Sequence, residues 1–231
     1  NMIITDDNFS SIIKGVEEGR RAYNNIRKVI YLLLSTGFSE IILFVLAIIF
    51  NLPIPLVAIQ LLWLNLITNG VQGDALAFEK DKEDVLSRKV KKQKIFDKLM
   101  INEILVSAIT MSVIEFIFYF YLYKVKNLDI VLVRTYLLTL MVIIENIQIF
   151  NCRSERLSLF KIPGSNNRFL MISIIITLCL QVIIVRSQEM ANVFNLSTIP
   201  IENIGILFLL SVPVVVVMEV FKRINKNVNI L

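Results

Sequence analysis

The 231-residue chain has no histidine. It therefore lacks the commonest general base and the commonest transition-metal ligand, which excludes zinc-hydrolase and Ser–His–Asp chemistry within this chain. Only two cysteines occur, Cys152 in an expected connecting loop and Cys179 inside an apolar run, so no disulfide between them is expected. Seven glycines and five prolines are too few for a disordered or low-complexity chain. No internal repeat at a fixed period is present. The first 28 residues are polar and carry Asp6, Asp7, Glu17 and Glu18, unlike a signal peptide.

Apolar residues are plentiful. They make up 56% of the chain, and the mean hydropathy is +0.71, well beyond a soluble domain of this size. Six runs reach about 20 residues each, enough for a helix to cross a bilayer. They lie at 29–50, 56–78, 100–122, 131–150, 169–185 and 204–220, joined by 51–55, 79–99, 123–130, 151–168 and 186–203. The expected fold is all-α and polytopic, with six transmembrane helices.

The net charge of +5 belongs to these boundaries and not to a nucleic-acid surface. Twenty of the 24 basic residues fall in alternate segments: the N-terminal stretch, loops 79–99 and 151–168, and the tail. Lys124, Lys126, Arg134 and Arg186 lie on the other side. The bias of lysine and arginine toward cytoplasmic loops then places both termini in the cytoplasm of a multi-pass membrane protein. No nucleic-acid partner is expected; the partner is the lipid bilayer. Residues 29–222 form the expected transport domain, and 223–231 a cytoplasmic tail.

Residues 1–28 extend the first run outward. Ile12, Ile13 and Val16, then Tyr23, Ile26 and Ile30, follow helical spacing, with Asp7 or Asn8 as N-cap. The expected element is a helical stalk that meets the membrane near Val29, with Gly15 and Gly19 as weak points.

Polar groups in the runs carry the functional signal. Glu40 sits at the midpoint of the first run. Glu145 lies about 7 Å to the cytoplasmic side of mid-span in the fourth, and Glu115 about 6 Å to the outer side in the third. A carboxylate at mid-bilayer costs about 2.5–3.5 kcal/mol on insertion scales. No lysine or arginine lies deep in any run to neutralise these acids. Unpaired acids at that depth point to protonation or to a bound cation. For Glu115, protonation or pairing within the bundle stays open beside that reading.

In the stretch LLWLNLITNGVQGD, Asn65, Thr68 and Asn69 are spaced i, i+3, i+4 and share one helical face. Gly70 and Gly73 follow at once, so the second helix is expected to unwind there and free carbonyls toward a cavity. Amide, hydroxyl, carboxylate and carbonyl oxygens are hard ligands suited to Ca2+, Na+, K+ or Mg2+. Asp74 would point roughly 140° from Asn69 in a regular helix at about 100° per residue, unless the unwinding turns it back.

Three stretches carry a resemblance. TDDNFSSIIKGVEEGRRAYNNIRK, QLLWLNLITNG and VIIENIQIFNCRSE resemble the fifth, sixth and eighth membrane helices, with the end of the phosphorylation domain, of class 2 P-type cation-transporting ATPases, the group containing calcium pumps. The likeness runs over nearly the whole chain, though the last two helices match mainly in hydropathy. It implies a pump in which ATP phosphorylates an aspartate and ions bound among helices four, five, six and eight are released outside. Glu40 then matches the fifth helix's ion-binding Glu, Asn65 and Thr68 the sixth helix's Asn and Thr, and Glu145 the eighth helix's Glu.

Two positions depart from the calcium-pump pattern: Asn69 replaces an Asp shared by two sites, and Gly37 replaces an Asn. The site loses one charge and one amide, which Asp74 would restore in part. One Ca2+, or a monovalent cation, fits that reduced charge. The resemblance also implies that Mg2+ and ATP bind elsewhere in a parent pump, whose first four helices and actuator, phosphorylation and nucleotide domains would be partners of this chain. The chain is expected to be a fragment without ATPase activity alone. An independent six-helix channel or secondary carrier is the competing reading, and a non-catalytic scaffold is the weaker one.

Overall fold

The computed structural model describes residues 9–79, 95–155 and 157–228, and all regular structure among them is helical. The elements are α1 (Phe9–Ile49), α2 (Ala58–Leu64), a π-helical turn (Asn65–Gly70), α3 (Val71–Ala77), α4 (Lys98–Phe120, continued by a π turn over Tyr121–Val125), α5 (Ile130–Cys152), α6 (Arg168–Arg186), α7 (Gln188–Val193) and α8 (Ile201–Val228). Asp7, Asn8 and most of the basic loop 79–99 lie outside the described residues.

Among the described residues, five helices are each long and apolar enough to cross a membrane: α1, α4 with its π turn, α5, α6 and α8. The sixth apolar run is helical from Ala58 to Leu64 and from Val71 to Ala77, with the π turn between. Its 20 residues rise about 30 Å, one hydrocarbon thickness. The break expected at Asn65–Gly70 is thus a change of winding, not a melted segment. The Val71 N–H still finds helical carbonyls, at Leu66 and Thr68. A wider coil misaligns some carbonyls, and one of them is bonded from outside: the Thr177 hydroxyl of α6 donates to the Ile67 carbonyl at 3.2 Å.

The 41 residues of α1 span about 60 Å, twice the hydrocarbon thickness. The helix passes through Gly15 and Gly19 without interruption, so neither glycine acts as a break. α5 is the centre of the bundle. Every residue from Leu137 to Asn146 is buried, as expected for a helix apolar on all sides and surrounded by neighbours. Around it pack α1, α4, α6 and α8. The outward faces are apolar instead of polar: Ile48 and Leu209 are each 72% exposed, and Ile41, Ile117 and Ile175 stand out similarly. Only a lipid environment makes such faces favourable.

Glycine is scarce at the turns opposite the basic segments, and asparagine takes its place. Asn51, Asn127 and Asn195 each adopt positive φ (51°, 49° and 52°), one in each connection on that side. Asparagine tolerates this left-handed geometry better than other side chains bearing a Cβ. The connection after α1 is tied down by the Tyr119 hydroxyl on the Pro53 carbonyl (2.8 Å) and by Arg134 on the Ile54 carbonyl (2.9 Å). Gln60, fully buried, donates to the carbonyls of Phe194 and Asn195, so the α2 terminus is anchored to the loop after α7.

Cys152 is not in a loop, as the sequence reading had it. It ends α5 and is completely buried. The helix persists because its last carbonyls are bonded: Lys222 Nζ of α8 donates to the Asn151 carbonyl at 2.9 Å. Cys179 is exposed on α6, and both cysteines are free. α6 and α8 run longer at both ends than the apolar runs 169–185 and 204–220 that announced them.

At the basic end, Arg27 of α1 holds two connections together. Its guanidinium pairs with Asp97 (3.0 Å) and Glu155 (3.0 Å) and donates to the Ile95 carbonyl (3.0 Å). Arg153 makes a second pair with Glu79 at 2.6 Å, both side chains almost fully buried.

Candidate cation site

Glu40, on α1, lies one turn beyond Thr36, so both side chains lie on the face toward the π turn. Asn65 opens that turn and Asn69 falls near its end. A chain of hydrogen bonds joins them. The Thr36 hydroxyl donates to Asn69 Oδ1 (3.0 Å), Asn69 Nδ2 donates to Asn65 Oδ1 (2.8 Å), and Asn65 Nδ2 donates to Glu40 Oε2 (3.3 Å). Asn65 Nδ2 also reaches the Leu61 carbonyl one turn back, at 3.1 Å. The second oxygen of Glu40 is buried and has no hydrogen-bond partner.

Thr68 faces the other way, toward α5. Its hydroxyl lies against Glu145 Oε2 and against the Leu64 carbonyl (2.7 Å), and its single proton serves one of them. Glu145 and Thr68 are almost completely buried. The π turn makes this arrangement possible: it presents Asn65 and Asn69 to α1 while Thr68 reaches α5. Carboxylates from α1 and α5 thus each bond one residue of the π turn.

Sequence reasoning brought together Glu40, Asn65, Thr68, Asn69 and Glu145, and in the structure these five lie in one seam. Asp74 is elsewhere. It is exposed while its neighbours Gln72, Gly73, Ala75 and Leu76 are buried, so the π turn does not swing it toward Asn69. A π turn adds about one residue to a single turn, far less rotation than the roughly 140° needed.

Thr36 and Ser39 belong to the seam but escaped sequence reasoning, because hydroxyls in apolar helices usually bond their own carbonyls. The Thr36 hydroxyl stands as close to its own Leu32 carbonyl as to Asn69 Oδ1 (3.0 Å each), and its single proton serves one of them. Its position one turn before Glu40 was the available signal. Ser39 donates to Glu115 Oε2 at 3.1 Å, which couples the third apolar run to the residue beside Glu40.

The donor set fits a hard cation and no soft one. It contains carboxylate, amide and hydroxyl oxygens, with no thiolate or imidazole. Among the described residues, no three His, Cys, Asp or Glu side chains stand close enough together to hold a metal ion by themselves. A cation here would rely on the amides and hydroxyls to complete its shell.

Fold and site together define a multi-pass helical membrane protein with acids and amides sealed inside its bundle. Comparison with known proteins makes this more specific. The family model described as "Cation transporting ATPase, C-terminus" matches residues 53–224, and the chain belongs to that family. It is 34% identical to calcium-transporting ATPase 1 of Bacillus cereus over 98% of this chain and 27% of the relative. It is 29% identical to calcium-transporting ATPase type 2C member 1 of Homo sapiens, over 98% of this chain and 25% of that protein. The endoplasmic reticulum-type calcium-transporting ATPase 3 of Arabidopsis thaliana is 28% identical over 98% and 26%. The chain spans about a quarter of the length of these relatives.

Proposed function

We propose that this chain supplies the ion-binding helices of an ATP-driven cation pump of the P-type class. Glu40, Asn65, Thr68, Asn69 and Glu145 act as ligands to the transported ion, which is Ca2+ or, given the single asparagine at 69, a monovalent cation. The observation that carries this reading is the Thr36–Asn69–Asn65–Glu40 chain ending on a buried, unpartnered carboxylate oxygen. In that arrangement Asn65 turns its nitrogen to one oxygen of Glu40 and its own oxygen to Asn69, and the other Glu40 oxygen is left without a donor. A cation arriving between Glu40 and Asn65 would draw the amide oxygen inward and reverse the chain. The calcium-transporting relatives support Ca2+ as cargo.

In the complete pump, ATP and Mg2+ act on phosphorylation, nucleotide and actuator domains that are partners of this chain, and four further helices close the site. Residues 1–28 serve as the stalk that passes motion from those domains, 29–222 as the transport domain and 223–231 as the tail, with both termini cytoplasmic. The positive charge at one end of the bundle supports that orientation. An unbroken α1 that continues well beyond the bundle, held at its base by Arg27, supports the stalk reading. A self-standing channel has no use for such an extension, which favours the pump over it. The test is Glu40→Gln in the complete pump. Ion-dependent phosphorylation from ATP is lost if Glu40 is a ligand, and an unchanged ion requirement removes it from the site.

A further inference from the structure

The π turn is held on a third side, by a helix that supplies none of the five ligands. Thr68 turns to α5, and Asn65 and Asn69 turn to α1, whereas the Trp63 indole and the Ile67 carbonyl meet α6. Trp63 Nε1–H donates to Gln181 Oε1 at 2.9 Å, and the Thr177 hydroxyl donates to the Ile67 carbonyl at 3.2 Å. Thr177 and Gln181 are four residues apart on one face of α6, and both are buried. Trp63 and Ile67 are also four apart, with Asn65 midway between them and Thr68 next after Ile67. Two rungs therefore join α6 to the second apolar run at the residues that flank the proposed ligands.

The first rung has a fixed direction. An indole N–H only donates, so Gln181 presents its oxygen to Trp63 and its nitrogen elsewhere. That nitrogen donates to Thr139 Oγ1 of α5 at 3.1 Å. The Thr139 hydroxyl donates to the Thr135 carbonyl (2.8 Å), and Thr135 Oγ1 accepts the Ser197 N–H (2.8 Å). Gln181 is thus held from both ends of its amide. The second rung acts on the backbone. The Ile67 carbonyl belongs to the planar peptide unit that leads into Thr68, so fixing one orients the other. A π turn calls for such support, because its bonding pattern is rare and seldom extends beyond a single turn. A side-chain oxygen about 5–6 Å from a helix axis moves about 2 Å when the helix rotates by roughly 20°. Metal–ligand distances tolerate only about 0.2 Å.

We propose that Gln181 and Thr177 are positioning residues of the transport site. They touch no ion, yet their two hydrogen bonds set the rotation of the π turn and thereby the affinity for the transported cation. This role rests on the reading of Asn65, Thr68 and Asn69 as ion ligands. Without the rungs the turn samples other rotations, and the apparent affinity falls with the fraction of molecules in which the ligands still converge.

The test is phosphorylation of the complete pump from ATP, titrated in parallel with Ca2+, Na+ and K+. For the ion that supports phosphorylation, the half-saturating concentration is expected to rise about three- to tenfold in Gln181→Met and in Trp63→Phe, with the level at saturating ion unchanged. The double substitution should shift it no further than the larger single one, because both cut the same bond. Thr177→Val should shift it in the same direction, and Thr177→Ser, which keeps the hydroxyl, should restore it. Packing alone predicts a lower thermal midpoint with an unmoved half-saturating concentration, and that result overturns the proposal. A double substitution whose shift is the product of the two single shifts also overturns it. Trp63→Phe removes the N–H while leaving a ring in place, and decides the case if Gln181→Met does not fold. Glu40→Gln in the same assay separates the two readings. Loss of ion dependence there, with no shift in the α6 variants, overturns the positioning role alone; an unchanged ion requirement in Glu40→Gln overturns the transport reading.

Discussion

Asn69→Asp is the sharpest probe of the cation seam. Asn69 is bonded to Asn65 at 2.8 Å, and Asn65 to Glu40 at 3.3 Å. With about 2 Å across the intervening amide, the new carboxylate would stand roughly 8 Å from Glu40. At an effective dielectric constant of about 20, the repulsion between the two acids is about 2 kcal/mol in the empty site. A cation between them, roughly 5 Å from the new charge, gains about 3 kcal/mol if monovalent and twice that if divalent. The difference, about 3 kcal/mol, corresponds to roughly a hundredfold shift in preference toward the divalent ion. The substituted side chain can still accept from Thr36 but loses the N–H that bonded Asn65 Oδ1, so Asn65 must turn its amide nitrogen toward one of the two carboxylates. Phosphorylation of the complete pump, titrated with Ca2+ and with K+ or Na+, reads the shift. A ratio of half-saturating concentrations that does not move would refute the reasoning, because position 69 would then be outside the ion's field.

Three further substitutions test other links. A Cβ at Gly37 would meet nothing within 4 Å in the described structure, so Gly37→Asn should be tolerated and add an amide one turn from Glu40; the expected gain is tighter Ca2+ dependence of phosphorylation, and no change would place position 37 off the ion path. Thr177→Val removes the hydroxyl that bonds the Ile67 carbonyl of the π turn and should destabilise the bundle by about 0.6–1.7 kcal/mol, seen as a lower midpoint in thermal unfolding in detergent. Arg27→Met leaves Glu155 and the Ile95 carbonyl without their partner. Because Asp97 is about half exposed, the expected loss is about 1–3 kcal/mol, less than for a fully buried pair, with the midpoint falling more than for Arg21→Met on the exposed stalk face.

The loop expected at Cys152 shows how composition can mislead at a boundary. Asn151 and Cys152 read as loop because the apolar run stops before them, yet they are the buried last turn of α5. The Asn151 carbonyl is satisfied by Lys222, a residue 71 positions further along. Sequence periodicity registers a residue's own neighbours and not a distant one that stabilises it.

What the sequence determined alone was the membrane character, the all-helical fold and five of the seam's polar residues. Each follows from a local cost: an apolar run of that length belongs in lipid, and an acid or amide inside such a run is too expensive to be accidental. What only the tertiary structure decided was how those residues face one another. The π turn directs Thr68 to α5 and Asn65 and Asn69 to α1, leaves Asp74 on the outside, and recruits Thr36, while Ser39 joins α1 to Glu115 of α4. Helical spacing fixes which side chains share a face, but which faces meet depends on packing among segments far apart in the chain.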